Sequence, residues 1–184
     1  FMESFAPPGL AEDWDNVGLL IGDRDRQVSH IMTCLTITPE VIDEAVRKKA
    51  QLILTHHPLP FRSVKRLTAD NVTGSMLLRL IEHQIAVYSP HTSFDSAERG
   101  INQSLAEGLG VTRTQPLEPA VDLDGLGAGR YGDLPQAIQV DEFVLQVKQF
   151  LGISGLQIVG STTQSLSRVA VACGAAGQFL SNAH

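Results

Sequence analysis

Several features that would assign a function class are missing from this chain of 184 residues. No apolar run approaches the roughly 18 residues that a membrane-spanning helix needs. No charged segment followed by an apolar segment opens the chain, so nothing indicates secretion. No run rich in lysine and arginine occurs, and the net charge is −6, which argues against a broad nucleic-acid-binding face. We therefore expect a cytoplasmic protein with no membrane partner.

The motifs of several enzyme classes are also missing. The sequence has no Gly-x-Ser-x-Gly elbow, so nucleophilic acyl transfer has no support from that motif. The segment CGAAG (residues 173–177) lacks the third glycine of a dinucleotide-binding fingerprint. With two cysteines in the chain, two buried thiols are a simpler expectation than a disulfide.

What the chain has is an apolar composition and alternating strand and helix patterns. Hydrophobic residues make up 43% and charged residues 18%, which indicates a folded core. Strands are predicted at 17–21, 29–36, 52–55, 85–88, 156–159 and 167–172, and helices at 38–49, 71–83, 99–109 and 141–150. Residues 117–135 are predicted as a loop followed by a short strand, and Gly174–Gly177 as the start of a further helix. The strand–helix–strand order predicts an α/β fold with mixed, mainly parallel sheets flanked by helices.

Histidines and one aspartate stand at the ends of two predicted strands. In LILTHHPLPF (residues 52–61) the apolar run of the strand is followed by His56, His57 and Pro58, and the next strand is followed by SPHTSFD (residues 89–95), which contains His91 and Asp95. Strand ends in open α/β sheets build ligand sites at a common edge. Imidazoles together with a carboxylate suit a divalent cation, and paired histidines that approach from different angles suit two ions. We therefore predict that these four residues bind metal.

A second polar cluster, EDWDNVGLLIGD (residues 12–23), surrounds the only tryptophan with Asp13, Asp15, Asn16 and Asp23. We interpret it as an Asx-rich turn that leads into a strand, with Trp14 packing against its surroundings. His30 and His83 are expected to be ordinary surface or core residues.

Four segments resemble, in order, motifs of one known family. They are FAPPGLAEDWDNVGLLIGD, LILTHHPLPFRSVKRLT, VYSPHTSFDSAERGINQSLAEGLG and VAVACGAAGQFL. The family is that of the GTP cyclohydrolase I type 2 homologs, also called NGG-one-interacting-factor-three-like proteins. The resemblance implies two similar α/β lobes, which we place at residues 1–116 and 117–184, the second truncated at its C-terminal end. It also implies a homohexameric ring built from dimers or trimers.

The resemblance further implies a dinuclear metal site with two divalent ions per subunit, zinc, iron, manganese or cobalt. His56 and His57 match the paired ligands, one for each ion, and Asp95 matches the carboxylate ligand. His91 matches the site histidine, and we assign it as the candidate catalytic residue as well as a ligand. In the family, a later His-x-x-x-Glu motif completes the site, and this sequence does not contain it.

Two function classes stay open at this point. The first is a metal-dependent hydrolase acting on a small molecule, for which the family name suggests ring opening of a purine nucleotide. The second is a non-enzymatic, ring-forming protein that binds metal and acts through interaction or regulation.

Overall fold

The computed structural model describes residues 1–121, 123 and 125–183, and it divides into two compact units, Phe1–Phe94 and Asp95–His184. Both units combine helices with β-sheet, so the predicted α/β fold with mixed sheets flanked by helices is confirmed. The proposed lobes at 1–116 and 117–184 stay a prediction. Within the part of the chain that the structure describes, no helix has the length and apolar character needed to cross a membrane.

The first unit contains a four-stranded sheet in the order β1 (Gly18–Ile21), β4 (Ala86–Ser89), β3 (Leu52–Thr55) and β2 (Ile31–Cys34). Strands β2, β3 and β4 run parallel, and β1 pairs antiparallel with β4. Helix α2 begins where predicted, because Thr38 caps it by accepting a hydrogen bond from the Val41 amide and Pro39 occupies its first position. The elements are α1 (Met2–Phe5), a 3₁₀ helix (Pro8–Leu10), β1 (Gly18–Ile21), β2 (Ile31–Cys34), α2 (Pro39–Arg47), β3 (Leu52–Thr55), α3 (Val72–Glu82) and β4 (Ala86–Ser89).

The core of the first unit fixes the two strands that carry the histidines. Ile53 of β3 and Val87 of β4 are fully buried in one cluster with Ile42 of α2 and Leu80 of α3. Burial of each such side chain contributes about 1.5–3 kcal/mol. The parallel register pairs Leu54 of β3 with Tyr88 of β4, so the two strands end side by side at one edge of the sheet.

The second unit contains a three-stranded sheet in the order β5-β8-β9, with antiparallel pairing throughout. Among the described residues, two of the six strand pairs are parallel, and both lie in the first unit, so the expectation of mainly parallel sheets is wrong. The expectation came from the strand–helix–strand order, but β8 and β9, which α6 separates, pair antiparallel. A small core of Ala106, Val111, Leu134 and Ile138 lies within this unit. Its elements, after α4 (His91–Ser96), which straddles the boundary, are α5 (Ile101–Gly108), β5 (Thr112–Gln115), β6 (Glu118–Pro119), β7 (Gly127–Ala128), β8 (Arg130–Gln139), α6 (Val140–Leu151), β9 (Ser165–Val171) and a 3₁₀ helix (Ala176–Leu180).

Two predictions for this unit are wrong. Residues 156–159 form no strand, and Val159 is fully exposed, because an apolar run alone supplies no partner strand. Residues 117–135 are predicted as a loop followed by a short strand. In the structure the last part of this segment is the beginning of β8 (Arg130–Gln139), a strand of ten residues. Proline normally argues against a strand interior, but Pro135 lies where the β8–β9 register shifts between Asp133 and Ile138.

Candidate metal centre

The paired histidines are held by hydrogen bonds from the neighbouring strands. The His56 amide donates to the Cys34 carbonyl at 3.2 Å, and the His57 amide donates to the Leu35 carbonyl at 2.9 Å. The hydroxyl of Ser89, the last residue of β4, donates to the His56 carbonyl at 2.7 Å. The backbone beneath both imidazoles is therefore fixed to the ends of β2 and β4.

His91 begins α4, two residues after the end of β4, and it has a φ of +28°. A non-glycine residue rarely adopts a positive φ, because this backbone conformation is strained, and residues that do so are found most often at functional sites. Its Nδ1 lies 2.8 Å from each carboxylate oxygen of Asp15. Because carboxylate oxygens only accept, Nδ1–H is the donor in this contact, and Nε2 is left for another group.

Asp15 is the residue that sequence reasoning missed. Its side chain has no solvent exposure, and besides His91 it accepts hydrogen bonds from the amides of Asn16 at 2.7 Å and Thr92 at 3.2 Å. The Thr92 hydroxyl also donates to it. Burial raises the pKa of the Asp15 carboxyl, but these hydrogen bonds outweigh burial and leave the pKa below its ordinary value. A buried anion therefore orients His91.

The three histidines converge on one point. Each offers a ring nitrogen, and these nitrogens lie within 4.8 Å of one another. Ring centroids are 5.1 Å apart for His56–His57 and His56–His91, and 5.8 Å apart for His57–His91. The structure thus places three of the four residues predicted as ligands, His56, His57 and His91, close to one another.

The donor set fits a divalent metal ion. Ligand nitrogens on one tetrahedral zinc are about 3.4 Å apart, given Zn–N bonds of about 2.0–2.1 Å. The wider 4.8 Å limit accommodates one ion after small side-chain rotations, or two ions that share the cluster. The second contact of His91, to Asp15, is the carboxylate–imidazole pairing that commonly supports a metal-bound histidine.

His57 has a weaker supporting contact of the same kind. Its Nδ1 lies 2.6 Å from the Thr36 hydroxyl, just beyond the end of β2. When Nδ1–H donates to this hydroxyl, Nε2 is free to bind a metal. Thr36 therefore occupies for His57 the place that Asp15 occupies for His91, without a charge.

Asp95 lies four residues after His91 and is not in the group of three histidines. Within the second unit its carbonyl accepts a hydrogen bond from the Asn102 amide group at 2.9 Å. Its carboxylate lies beside Cys173, and burial together with this negative charge raises the pKa of the Cys173 thiol to about 12. Both cysteines are free thiols, and each is partly buried where full burial was expected. The role of Asp95 as a ligand stays a prediction.

Two aromatic side chains border the histidines. The ring of Trp14 lies 6.2 Å from that of His91, and the ring of Phe61 lies 6.1 Å from it. Trp14 is 59% exposed, and it packs against Phe61 and His91 at the surface and not in a core. His30 and His83 are exposed surface residues, as expected.

Comparison with known proteins identifies the family of this chain. The family model described as Duf34/NIF3 (NGG1p interacting factor 3) matches residues 1–184. The chain belongs to this family. The resemblance stated from the motifs is therefore confirmed.

Relatives and solved structures agree with this assignment. The chain is 36% identical over 182 residues to a "GTP cyclohydrolase 1 type 2 homolog" of Clostridium perfringens, covering 99% of this chain and 70% of the relative. It is 42% identical over 120 residues to "NIF3-like protein 1" of Mus musculus, covering 65% of this chain and 32% of that protein. A Staphylococcus aureus structure has a TM-score of 0.83 at 28% identity and covers 97% of this chain and 71% of its own. A Bacillus cereus protein related to NIF3 has a TM-score of 0.87 at 24% identity, covering 99% and 77%, which shows the shared fold.

Proposed function

We propose that this NIF3-family protein is a metal-dependent hydrolase that holds two divalent ions at His56, His57, His91 and Asp95. The observation that carries the proposal is the convergence of three imidazoles within 4.8 Å, one of them oriented by a buried carboxylate. Zinc, iron, manganese and cobalt all accept such ligands. A divalent ion bound there supplies Lewis acidity, which polarises a substrate and activates water for hydrolysis.

The protein's own residues have separate tasks in this proposal. His56 and His57 bind the ions from strand-anchored positions, one imidazole for each ion. Asp15 accepts the Nδ1 proton of His91, which fixes the ring and leaves Nε2 directed away from the carboxylate. His91 is thereby placed to bind an ion or to exchange a proton with substrate, the catalytic role we assign to it.

The substrate class comes from the relatives. Two clostridial relatives, 36% and 37% identical, are named GTP cyclohydrolase 1 type 2 homologs. We propose a small-molecule substrate of the purine nucleotide class, opened by hydrolysis. We also propose that the protein acts in the cytoplasm and assembles as a homohexamer.

Metal content and turnover test the proposal together. The protein is loaded with Zn²⁺, Mn²⁺, Fe²⁺ or Co²⁺ and dialysed, and metal per protomer is measured by elemental analysis. Each preparation is then incubated with GTP and related nucleotides. We expect two equivalents of metal and metal-dependent product, both reduced in His57→Ala. His83→Ala, which removes an exposed histidine outside the cluster, is the matched control.

A second candidate is a non-enzymatic metal-binding protein that acts through interaction or regulation. The family description, NGG1p interacting factor 3, and the mammalian relatives named NIF3-like protein 1 favour it. Two bound metals with no turnover across the nucleotide panel would support this candidate over the hydrolase. A protein that retains no metal would contradict both.

A further inference from the structure

Trp14 and Phe61 form an open aromatic corner beside the histidine cluster. Their rings are 6.0 Å apart and tilted by 45°, and each lies about 6 Å from the ring of His91. Trp14 is 59% exposed and Phe61 is 48% exposed. Both rings therefore present apolar surface to solvent beside the histidine cluster.

The corner is built on fixed backbone. The side-chain amide of Asn16 donates to the Pro60 carbonyl at 2.7 Å, which ties the segment carrying Trp14 to the segment carrying Phe61. Asp15, next to Trp14, is anchored by its buried hydrogen bonds to His91 and Thr92. The two rings are thus positioned before any ligand arrives, which lowers the entropy cost of binding one.

The chemistry of the corner selects one kind of ligand. Aromatic side chains bind flat π-systems by stacking, and this interaction is largely indifferent to the identity of the ring. An exposed Trp–Phe pair next to the imidazole of His91 suits a molecule that has a planar ring beside its reactive group. A sugar phosphate or an aliphatic amide would leave these two rings in water.

We propose that Trp14 and Phe61 form a subsite that stacks the heteroaromatic ring of the substrate, a purine base for a nucleotide. The inference rests on the proposed function for the location of the reactive centre, but ring binding itself requires neither metal nor turnover. It assigns a binding role to two aromatic residues that are not among the proposed metal ligands.

The sole tryptophan makes this subsite directly observable. Trp14 fluorescence of the full chain is titrated with guanosine, and separately with ribose 5-phosphate, which has no base. We expect saturable quenching by guanosine alone, with and without Zn²⁺. Phe61→Leu weakens guanosine binding at least fivefold, whereas Phe61→Tyr retains it. The matched control is Phe150→Leu, which replaces a 45% exposed phenylalanine of the second unit and leaves binding unchanged.

Calorimetry with Trp14→Leu provides a second readout that does not use fluorescence, and circular dichroism checks that each variant is folded. The proposal is overturned if guanosine and ribose 5-phosphate give the same response, or if folded Phe61→Leu binds guanosine as wild type does. It is also overturned if Trp14 emission depends only on protein concentration, because a second copy then covers the corner. Guanosine quenching in a protein that retains no metal would refute the proposed hydrolase and leave the subsite standing.

Discussion

Replacing Asp15 with asparagine tests whether the buried carboxylate supports the metal centre. The carboxylate is fully buried and accepts four donors: the ring of His91, the Asn16 amide, and the amide and hydroxyl of Thr92. Asparagine has nearly the same shape, so the change removes the charge and one acceptor oxygen without creating a cavity. Loss of such a supporting contact lowers metal affinity by about 10- to 100-fold, or about 1.4–2.7 kcal/mol.

Stability without metal should also fall, for a reason that the contacts make specific. One oxygen accepts from the Asn16 amide and the other from the Thr92 amide. The amino group of asparagine must replace one of them, so in either orientation it faces a backbone N–H donor. The Thr92 hydroxyl cannot relieve this conflict freely, because it already accepts from the Glu12 amide. An unsatisfied buried donor and a lost charged hydrogen bond cost about 2–4 kcal/mol together.

The pH dependence of this difference follows from the depressed pKa of Asp15. A carboxyl whose pKa is lower in the folded state than in the unfolded state stabilises the fold at any pH above the unfolded-state pKa, here near 3.8. This stabilisation is lost as the pH falls from there through the folded-state pKa. The stability gap between wild type and Asp15→Asn should therefore be constant near neutrality and shrink below pH 3.8.

Chelator competition measures metal affinity, and urea denaturation of the metal-free proteins measures stability from pH 3 to 8. Asp13→Asn is the matched control, since it makes the same charge change at an exposed position of the same segment. If Asp15→Asn binds Zn²⁺ within threefold of wild type, Asp15 does not orient a metal ligand. If the stability gap persists unchanged at pH 3, the carboxylate is not ionised in the fold.

Three further changes address the other contacts. Thr36→Val removes the hydroxyl beside His57 and should weaken Zn²⁺ binding several-fold in chelator competition, whereas Thr36→Asp should strengthen it; equal affinities would show that the 2.6 Å contact is incidental. Arg130→Lys should lower the free energy of unfolding, measured by urea denaturation, by about 3 kcal/mol or more. The buried guanidinium donates to four backbone carbonyls and one side-chain amide oxygen, and a single ammonium group cannot reach them all. Arg113→Lys, at an exposed arginine, is the control. Gly22→Ala should lower the melting midpoint, because φ is +123° and the added Cβ would lie 2.7 Å from the Ala86 Cβ; an unchanged midpoint would contradict this packing.

The histidines could be predicted from sequence because their positions follow from strand periodicity. His56 and His57 directly follow β3, and His91 follows β4 by two residues. Parallel strands separated by a helix end at one edge of the sheet, so sequence order alone was enough to bring these residues together. In the structure Thr38 caps α2 before β3, and Asn71 caps α3 between β3 and β4.

Asp15 could not be predicted in this way. It lies 76 residues from His91, and the antiparallel pairing of Gly18 with Ser89 is what places the start of β1 beside the end of β4. Nothing local in EDWDNVG specifies that pairing. The local contact of the Asp15 carboxylate is with the adjacent Asn16 amide, and not with the amide two residues on that an Asx turn uses. A local interpretation of this segment therefore gave no indication of the long-range contact.

The composition of the cluster also restricts which metal can bind it. The ligand atoms within 4.8 Å are three imidazole nitrogens, and the nearby carboxylate of Asp15 is engaged with Nδ1 of His91. Mg²⁺ and Ca²⁺ require oxygen ligands, whereas zinc, iron and cobalt bind imidazole well. Zn²⁺ should therefore raise the melting midpoint of the metal-free protein while millimolar Mg²⁺ neither raises it nor displaces Zn²⁺. If Mg²⁺ competes with Zn²⁺ for the site, oxygen atoms outside the histidine cluster must dominate binding, and the three imidazoles would not be the primary ligands.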